Sequence, residues 1–357
     1  MIKRFIPSKP LPMIKSTSQI SNHQIHHKLV ESIPTKRPRF LDTLAQLAPP
    51  SVSGSYEAQK QGETLKKRAR SKAISRAKAL RLVDVNSELK QAYWNTFHCS
   101  SVLLQEGKKI TAKYCKNRWC DVCNRIRTAN LIKGYLVPIS ELKDKQLVTL
   151  TIPNIPAGEL PISLSAMSDA LSVIRKAFTR RGYPIIGLRK MECTYNPDEN
   201  NFHPHFHFVI EGIDNANRIV DEWLMQFPEA KRVAQDIRPA DNNSVMELFK
   251  YFAKTMAKSK KTGQSEFYPE AMDVIFRATK GRRVFQPMGI AKLDVSEDIE
   301  ELQSQEHEEL EAVEMAAWNW NDDALDWVNY TTGECLTQWK PPDKVLGLLE
   351  HLMTVSN

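Results

Sequence analysis

The sequence predicts an α+β protein: an antiparallel sheet in the split βαβ arrangement with helices on one face, plus a small Cys-rich module and helical extensions. Two observations carry this. From Gln146 onward, segments of period two alternate with segments of helical period in the order β-α-β-β-α-β, followed by a helix. Upstream, four cysteines gather between Cys99 and Cys123, ahead of the first of those strands.

Taken in order, residues 1–55 are rich in Pro, Ser and Lys without periodicity, and are expected to be a disordered leader. Residues 56–97 form a basic helical segment, because Glu57 to Val83 is rich in Ala, Lys, Arg and Leu and contains no Pro. Lys60 to Arg81 holds nine Lys/Arg against the single acid Glu63, a block that is either a solvated face or a phosphate contact. Residues 98–135 are the Cys-rich module, and 140–290 the sheet domain.

Within that domain "QLVTLTIPN" alternates Val148, Leu150 and Ile152 with Thr149 and Thr151, then stops at Pro153. Ser163 to Arg181 has apolar residues at helical spacing. "IIGLRKMECTYN" reads as a strand, "PDEN" as a hairpin loop and "HFHFVIEG" as the return strand. Asn215 to Phe227 reads as a helix, "RVAQDIR" as a strand and Ser244 to Ser259 as a helix. Residues 291–357 are expected to form an acidic, Trp-rich helical tail. Ser296 to Glu314 holds nine acids, and Trp318, Trp320, Trp327 and Trp339 suggest a small separate packing unit.

Bulk properties narrow the function. No run approaches ~18 apolar residues, so no membrane span is expected. The N-terminus lacks an apolar signal core, which leaves the cytoplasm as the expected compartment. There, six cysteines point to metal ligands or packing rather than disulfides. A net charge of +8 suits a polyanionic partner.

Three of the nine histidines stand at alternate positions, His203, His205 and His207. On a strand they share a face, while Phe206, Phe208 and Ile210 take the other against helices. Two imidazoles at i, i+2 can point at one divalent cation. Pro204 cannot donate to a ladder and tends to mark a strand start, which sets His203 apart as an optional ligand or a supporting residue. A two-imidazole site needs an oxygen ligand. Glu192 on the preceding strand supplies one only if it pairs with His205 or His207, and a register one residue away turns it to the other face. The plainer reading is a polar strand face that happens to be His-rich.

On the last helix, Glu247, Tyr251 and Lys254 stand at i, i+4 and i+7, close to one stripe. A phenol near a cation and a metal can act as a nucleophile. Alone, the same residues read more readily as an aromatic anchor with solvated charges. Cys115, Cys120 and Cys123, with Cys99 (or His98) upstream, suit a closed tetrahedral Zn²⁺ site, and a redox dithiol is the competing reading. Interleaved Arg118, Arg125 and Arg127 are candidate DNA contacts, as is Lys258 further on.

"VTLTIP", then "HPHFHFVI", then "ELFKYFAK", with "YCKNRWCDVCNRIR" upstream, resembles the HUH endonucleases. The likeness is to their plasmid rolling-circle replication initiators, in the subgroup with Glu four residues before a single tyrosine. It runs from roughly Lys113 to Lys258. It implies that His205 and His207, with Glu192 as a third ligand, bind Mg²⁺ or Mn²⁺. It also implies that Tyr251 attacks single-stranded DNA to leave a 5′-phosphotyrosine and a free 3′-OH. Lys254 then holds phosphate or phenolate charge, and Glu247 activates water at termination. The next tyrosine, Tyr268, is distant, against a paired-tyrosine mechanism. The implied partners are origin duplex, the single-stranded nick site and, by way of the tail, a host helicase, with no membrane. A single-strand transposase or mobilisation relaxase would share the chemistry. A zinc-containing protein with an RRM- or ferredoxin-like sheet that binds nucleic acid without cutting is the non-enzymatic alternative. Such sheets put aromatics on the open face, however, where this one is expected to put histidines.

Overall fold

The structure is a computed structural model that describes residues 53–107, 109–249, 254–293 and 316–354, and only the backbone of 53–61, 242, 243, 247 and 354. Most of the expected leader, the acidic stretch Ser296–Glu314 and Tyr251 lie outside the described residues.

The basic block is a long helix, α1 (Ser53–Val83). Lys66, Lys67 and Arg70 are exposed, but the other side of the block is not a solvated face. Lys72 is fully buried, and its ammonium donates to the carbonyls of Phe97 (2.9 Å) and Cys99 and to Ser101 Oγ (3.1 Å). Lys78 pairs with Asp121 at 3.1 Å, Arg76 with Asp322, and Arg81 donates to the carbonyl of Leu352. The cations of one helix face are therefore spent inside the fold, where each needs a partner to offset its desolvation. A short helix α2 (Lys90–Phe97) follows. Its Tyr93 hydroxyl donates to the buried Asp273 at 2.6 Å, which also accepts from Arg277 at 2.7 Å.

Strands β1 (Val102–Glu106) and β2 (Lys109–Ala112) precede helix α3 (Asp121–Ser140). The sheet domain then runs β3 (Lys145–Thr151), α4 (Leu160–Arg180), β4 (Gly187–Asn196), β5 (Asn201–Glu211), α5 (Ile213–Gln226), β6 (Asp236–Pro239) and α6 (Asn242–Phe249). A two-stranded ribbon follows, β7 (Ala257–Lys258) and β8 (Ser265–Glu266), and then α7 (Pro269–Thr279) and β9 (Phe285–Met288). The five-stranded sheet has the order β6-β3-β5-β4-β9, antiparallel throughout. At the start of β4, Gly187 has φ +150°, and a Cβ there would lie 2.0 Å from the Val209 carbonyl, so only glycine lets β4 and β5 close.

On one face Val148, Leu150, Met191, Phe206, Phe208 and Ile210 form the main core with residues of α4, α5 and α7. The other face is not bare, and here the expectation of helices on one face is corrected. Leu147, Leu188 and Val209 pack against Tyr135 and Ile139 of α3 and Val245, Leu248 and Phe249 of α6. The apolar residues at that end of the strands require a cover, and α3 supplies it. The histidine end of the same face lies beyond this second core.

Three more expectations change. His203 and Pro204 lie inside β5, paired with Thr194 and Cys193. The Pro204 carbonyl accepts from Thr151 Oγ1 at 3.2 Å, so its missing N–H falls on the side where β3 has ended, and no rung is lost. The helix expected through Ser259 is described only to Phe249, and by Lys254 the chain is no longer helical. Asp198 of the β4–β5 loop accepts from Ser259 Oγ and the Lys260 amide, both at 2.6 Å, which draws that segment into the β7–β8 turn.

The Trp-rich stretch is neither helical nor separate. Strands β10 (Ala316–Asn321) and β11 (Asp326–Asn329) extend a second sheet, β11-β10-β1-β2, before a last helix α8 (Asp343–Thr354). Trp327 is fully buried beside Leu103 and Ala69, and its indole N–H donates to the Ser100 carbonyl at 2.8 Å. Alternation of Trp318 and Trp320 with small or polar residues is a strand period, overridden in the reading by the acidic helix-forming run before it. Among the described residues no helix is long and apolar enough to cross a membrane.

Because Trp327 joins the hairpin to α1 and to the Cys99 segment, Trp327→Ala should lower unfolding free energy by about 3–5 kcal/mol. Urea unfolding followed by far-UV circular dichroism checks this. A change below about 1 kcal/mol would mean that the hairpin is only loosely attached.

Candidate metal centre

The centre is set by one register. Glu192 of β4 is the cross-strand partner of His205, and Lys190 that of His207. The condition on which Glu192 depended is thus met, and Glu192, His205 and His207 present ligand atoms all within 4.8 Å of one another. These three residues could hold a metal ion.

Hydrogen bonds aim the rings. His205 Nδ1 lies 3.0 Å from the His203 carbonyl, to which it can only donate, leaving Nε2 with its lone pair toward the cluster. His207 Nδ1 meets Thr149 Oγ1 at 3.0 Å, and its Nε2 lies 3.9 Å from Glu192 Oε2. His203 lies outside the cluster, with Nε2 at 3.1 Å from Thr151 Oγ1 and Nδ1 at 2.8 Å from Asn154 Oδ1. It supports His205 through its carbonyl.

The sequence reading missed Lys190. Its buried ammonium lies 2.9 Å from Glu192 Oε2, and both side chains are 4% exposed. The only signal was its parity with Glu192 on the strand. Lys254 Nζ, more exposed, lies 3.6 Å from Glu192 Oε1, an oxygen that is buried and accepts no hydrogen bond. Burial opposes ionisation of Glu192, but Lys190, His205 and Lys254 outweigh it and hold the carboxyl at about 2. Burial pushes His205 down to about 3 against the pull of Glu192, and lowers His207 as well. An ionised carboxylate with a spare oxygen and two neutral imidazoles is a donor set that fits a divalent cation of the first transition row or Mg²⁺.

Of the remaining site candidates, Glu247 lies on α6 and Tyr251 lies outside the described residues. Lys258, on β7, is exposed.

A second cluster brings together Cys99, Cys115, Cys120 and Cys123, all four sulfurs within 4.8 Å of one another. Cys123 Sγ is 3.6 Å from both Cys99 and Cys115 Sγ. A tetrahedral Zn²⁺ with Zn–S of about 2.3 Å requires sulfurs roughly 3.8 Å apart, so the four thiols fit that ion. Cys120 caps α3 and Cys123 sits in its first turn. Arg118, Arg125 and Arg127, beside the module, are engaged by backbone carbonyls. They donate to the carbonyls of Thr279 (2.8 Å), Thr64 (3.3 Å) and Asn117 (3.0 Å) respectively.

Comparison with known proteins places these features in company. Residues 107–212, which include three of the four clustered cysteines and the whole Glu192, His205, His207 set, match the family described as Replication protein. The chain is 28% identical over 174 residues to a protein named Protein rep from Staphylococcus aureus, covering 42% of this chain and 74% of that one. It is 30% identical over 159 residues to a Protein rep from Streptococcus pneumoniae serotype 2, covering 39% of this chain and 47% of that relative. A Protein rep from a Bacillus species is 28% identical over 111 residues, 35% of its length. No solved structure matches this chain. The resemblance to plasmid replication initiators is borne out.

Mn²⁺ titrated calorimetrically should bind one equivalent at this centre. Glu192→Ala and His205→Ala should weaken it by more than tenfold, and His203→Ala by only a few-fold. Two ordinary imidazoles would lose roughly tenfold in affinity between pH 7.5 and 6. Here burial holds His205 far below that window and lowers His207 from its ordinary value, so the loss between pH 7.5 and 6 should be no more than about threefold. A tenfold loss would show that the imidazoles titrate normally.

Proposed function

Proceeding from a chain that resembles the plasmid replication initiators over its central segment, we propose that it nicks origin DNA through Tyr251 and so starts rolling-circle replication. The observation that carries this is the Glu192–His205 pairing, which gathers three residues that could hold a metal, with Lys254, three positions after Tyr251, 3.6 Å from Glu192 Oε1. The strand order β6-β3-β5-β4 supports reading that sheet as a split βαβ fold of the HUH type.

Glu192, His205 and His207 would hold Mg²⁺ or Mn²⁺, which when bound supplies Lewis-acid polarisation of the scissile phosphate. The Tyr251 phenolate oxygen forms the new bond to phosphorus, and the 3′-oxygen leaves with the electron pair of the broken P–O bond. The products are a 5′-phosphotyrosine and, after protonation, a 3′-OH that a polymerase can extend. Lys254, already at the mouth of the cluster, balances phosphate or phenolate charge. Lys190 keeps Glu192 ionised and oriented. Glu247, four residues before Tyr251, is the base that activates water at termination, in keeping with the single-tyrosine subgroup. The four cysteines hold a structural zinc. Lys258 with the exposed Lys260 and Lys261 offers cations to the DNA backbone. The arginines of the cysteine module would reach duplex only through whatever donor capacity their carbonyl contacts leave.

Two features favour this over a non-catalytic nucleic-acid-binding sheet. The face that would stack bases carries His205, His207, Lys190 and Glu192, while Phe206 and Phe208 lie in the opposite core. A transposase or relaxase would use the same centre on other DNA.

Incubation with Mn²⁺ and a supercoiled plasmid bearing the cognate origin should yield nicked circles with covalently attached protein. Tyr251→Phe should abolish the adduct, and an adduct formed by that variant would sink the assignment. Glu247→Ala should nick near the normal rate but fail to release itself by hydrolysis after one round.

A further inference from the structure

The charges around the candidate metal centre do not by themselves favour a cation. Among the described residues Glu192 is the carboxylate of the cluster, and two ammonium groups are set against it. Lys190 Nζ lies 2.9 Å from Glu192 Oε2, with both side chains 4% exposed, and Lys254 Nζ lies 3.6 Å from Oε1. His205 and His207 add no negative charge, because an imidazole that ligates a metal is neutral. Arg238 of β6 bears on His207 but has its own acid, Asp236, at 3.6 Å. Glu192 and Lys190 therefore cancel, and Lys254 leaves the described set positive before any cation binds.

The two ammonium groups are not equivalent. Lys254 is 61% exposed, so water screens it and its long side chain is free to swing aside. Lys190 has neither escape. Its buried side chain rises from β4 on the face of Glu192, with His207 as its cross-strand partner. A cation coordinated by Glu192 must share that carboxylate with a buried ammonium, where like charges repel far more than in water. Yet a buried carboxylate stripped of its cation is costly, so the residue that opposes the metal also holds Glu192 in place before the metal binds.

We propose that Lys190 is a built-in counter-charge that keeps cation affinity low at this centre, so that a cation is retained only when a DNA phosphate adds the missing negative charge. Cation and phosphate then raise each other's affinity by the same factor. The phosphate half rests on the reading that the centre acts on DNA. The effect of Lys190 on cation affinity does not.

The test is calorimetric titration of Mn²⁺ into the full chain. Without DNA, Lys190→Gln and Lys190→Met should each tighten Mn²⁺ binding at least tenfold, while Lys190→Arg, which keeps the charge, should stay within threefold of the unchanged chain. With no added metal, Lys190→Met should melt at a lower temperature, and Lys190→Gln should lose less because it still donates to Oε2. Should Lys190→Met fail to fold, the Gln and Arg variants decide. The second arm uses Tyr251→Phe, to keep DNA intact, and a short single-stranded oligonucleotide spanning the nick site. The oligonucleotide should tighten Mn²⁺ at least tenfold, and one with a neutral methylphosphonate at the nick position should change it by less than twofold. Unchanged or weaker Mn²⁺ binding by Lys190→Gln would overturn the proposal, since a residue that merely orients Glu192 gives that result. Equal tightening by Lys190→Arg and Lys190→Gln would overturn it as well. Equal responses to the charged and neutral oligonucleotides would overturn the phosphate coupling. Oligonucleotide cut by the Tyr251→Phe chain would instead overturn the nucleophile assignment, and the DNA-free arm would still decide the role of Lys190.

Discussion

The pairing of Glu192 with His205 is the constraint on which the rest of the centre depends. Side chains alternate along a strand, so a slip of one residue would leave the imidazoles in place and carry the carboxylate and Lys190 into the apolar layer. Three features hold the register. The Pro197–Asn200 turn fixes the hairpin length, with Asn200 in the left-handed region at φ +50°. Gly187 permits a close approach at the far end. Between them Met191 and Phe206 lock the opposite face into the core, where a shift would expose them. The polar face is specified by the packing of the apolar one.

Around that register the molecule manages an unusual amount of buried positive charge. Lys72 lies among backbone carbonyls, its acidity raised to about 8 by burial first and then by Arg76. Lys78 has Asp121, and Lys190 has Glu192. A basic sequence block invites the inference of a nucleic-acid surface, yet half of this one serves as internal fastening, with α1 clamping the cysteine module and the tryptophan hairpin together. Net charge counts these groups equally with exposed ones, which is why the sum alone said little about where a polyanion would lie.

Much of the sheet domain was legible in the sequence because its strands and helices have clean periods, and because a two-residue repeat of histidine can be read without knowing the fold. The Glu192 register was not legible, since an irregular loop hides the count that sets it. Lys190 was missed because a lysine on a strand ordinarily points to solvent, and only the facing carboxylate explains its burial. The helix expected through Ser259 failed to a tertiary contact, the capture of Ser259 and Lys260 by Asp198. The tail failed for a related reason. Its tryptophans pair with a strand more than two hundred residues earlier, and no local pattern encodes a partner so remote.

That long pairing orders the protein's birth. Strand β1 leaves the ribosome with one neighbour, β2, and waits for β10 while some two hundred further residues are made. At about 5–20 residues per second the delay is on the order of 10–40 seconds. All five strands of the sheet domain emerge inside that interval, and by its end the four clustered thiols are out as well. A nascent chain with Glu192, His205 and His207 already assembled would therefore carry an unsatisfied strand edge open to other chains until the tryptophan hairpin closes it.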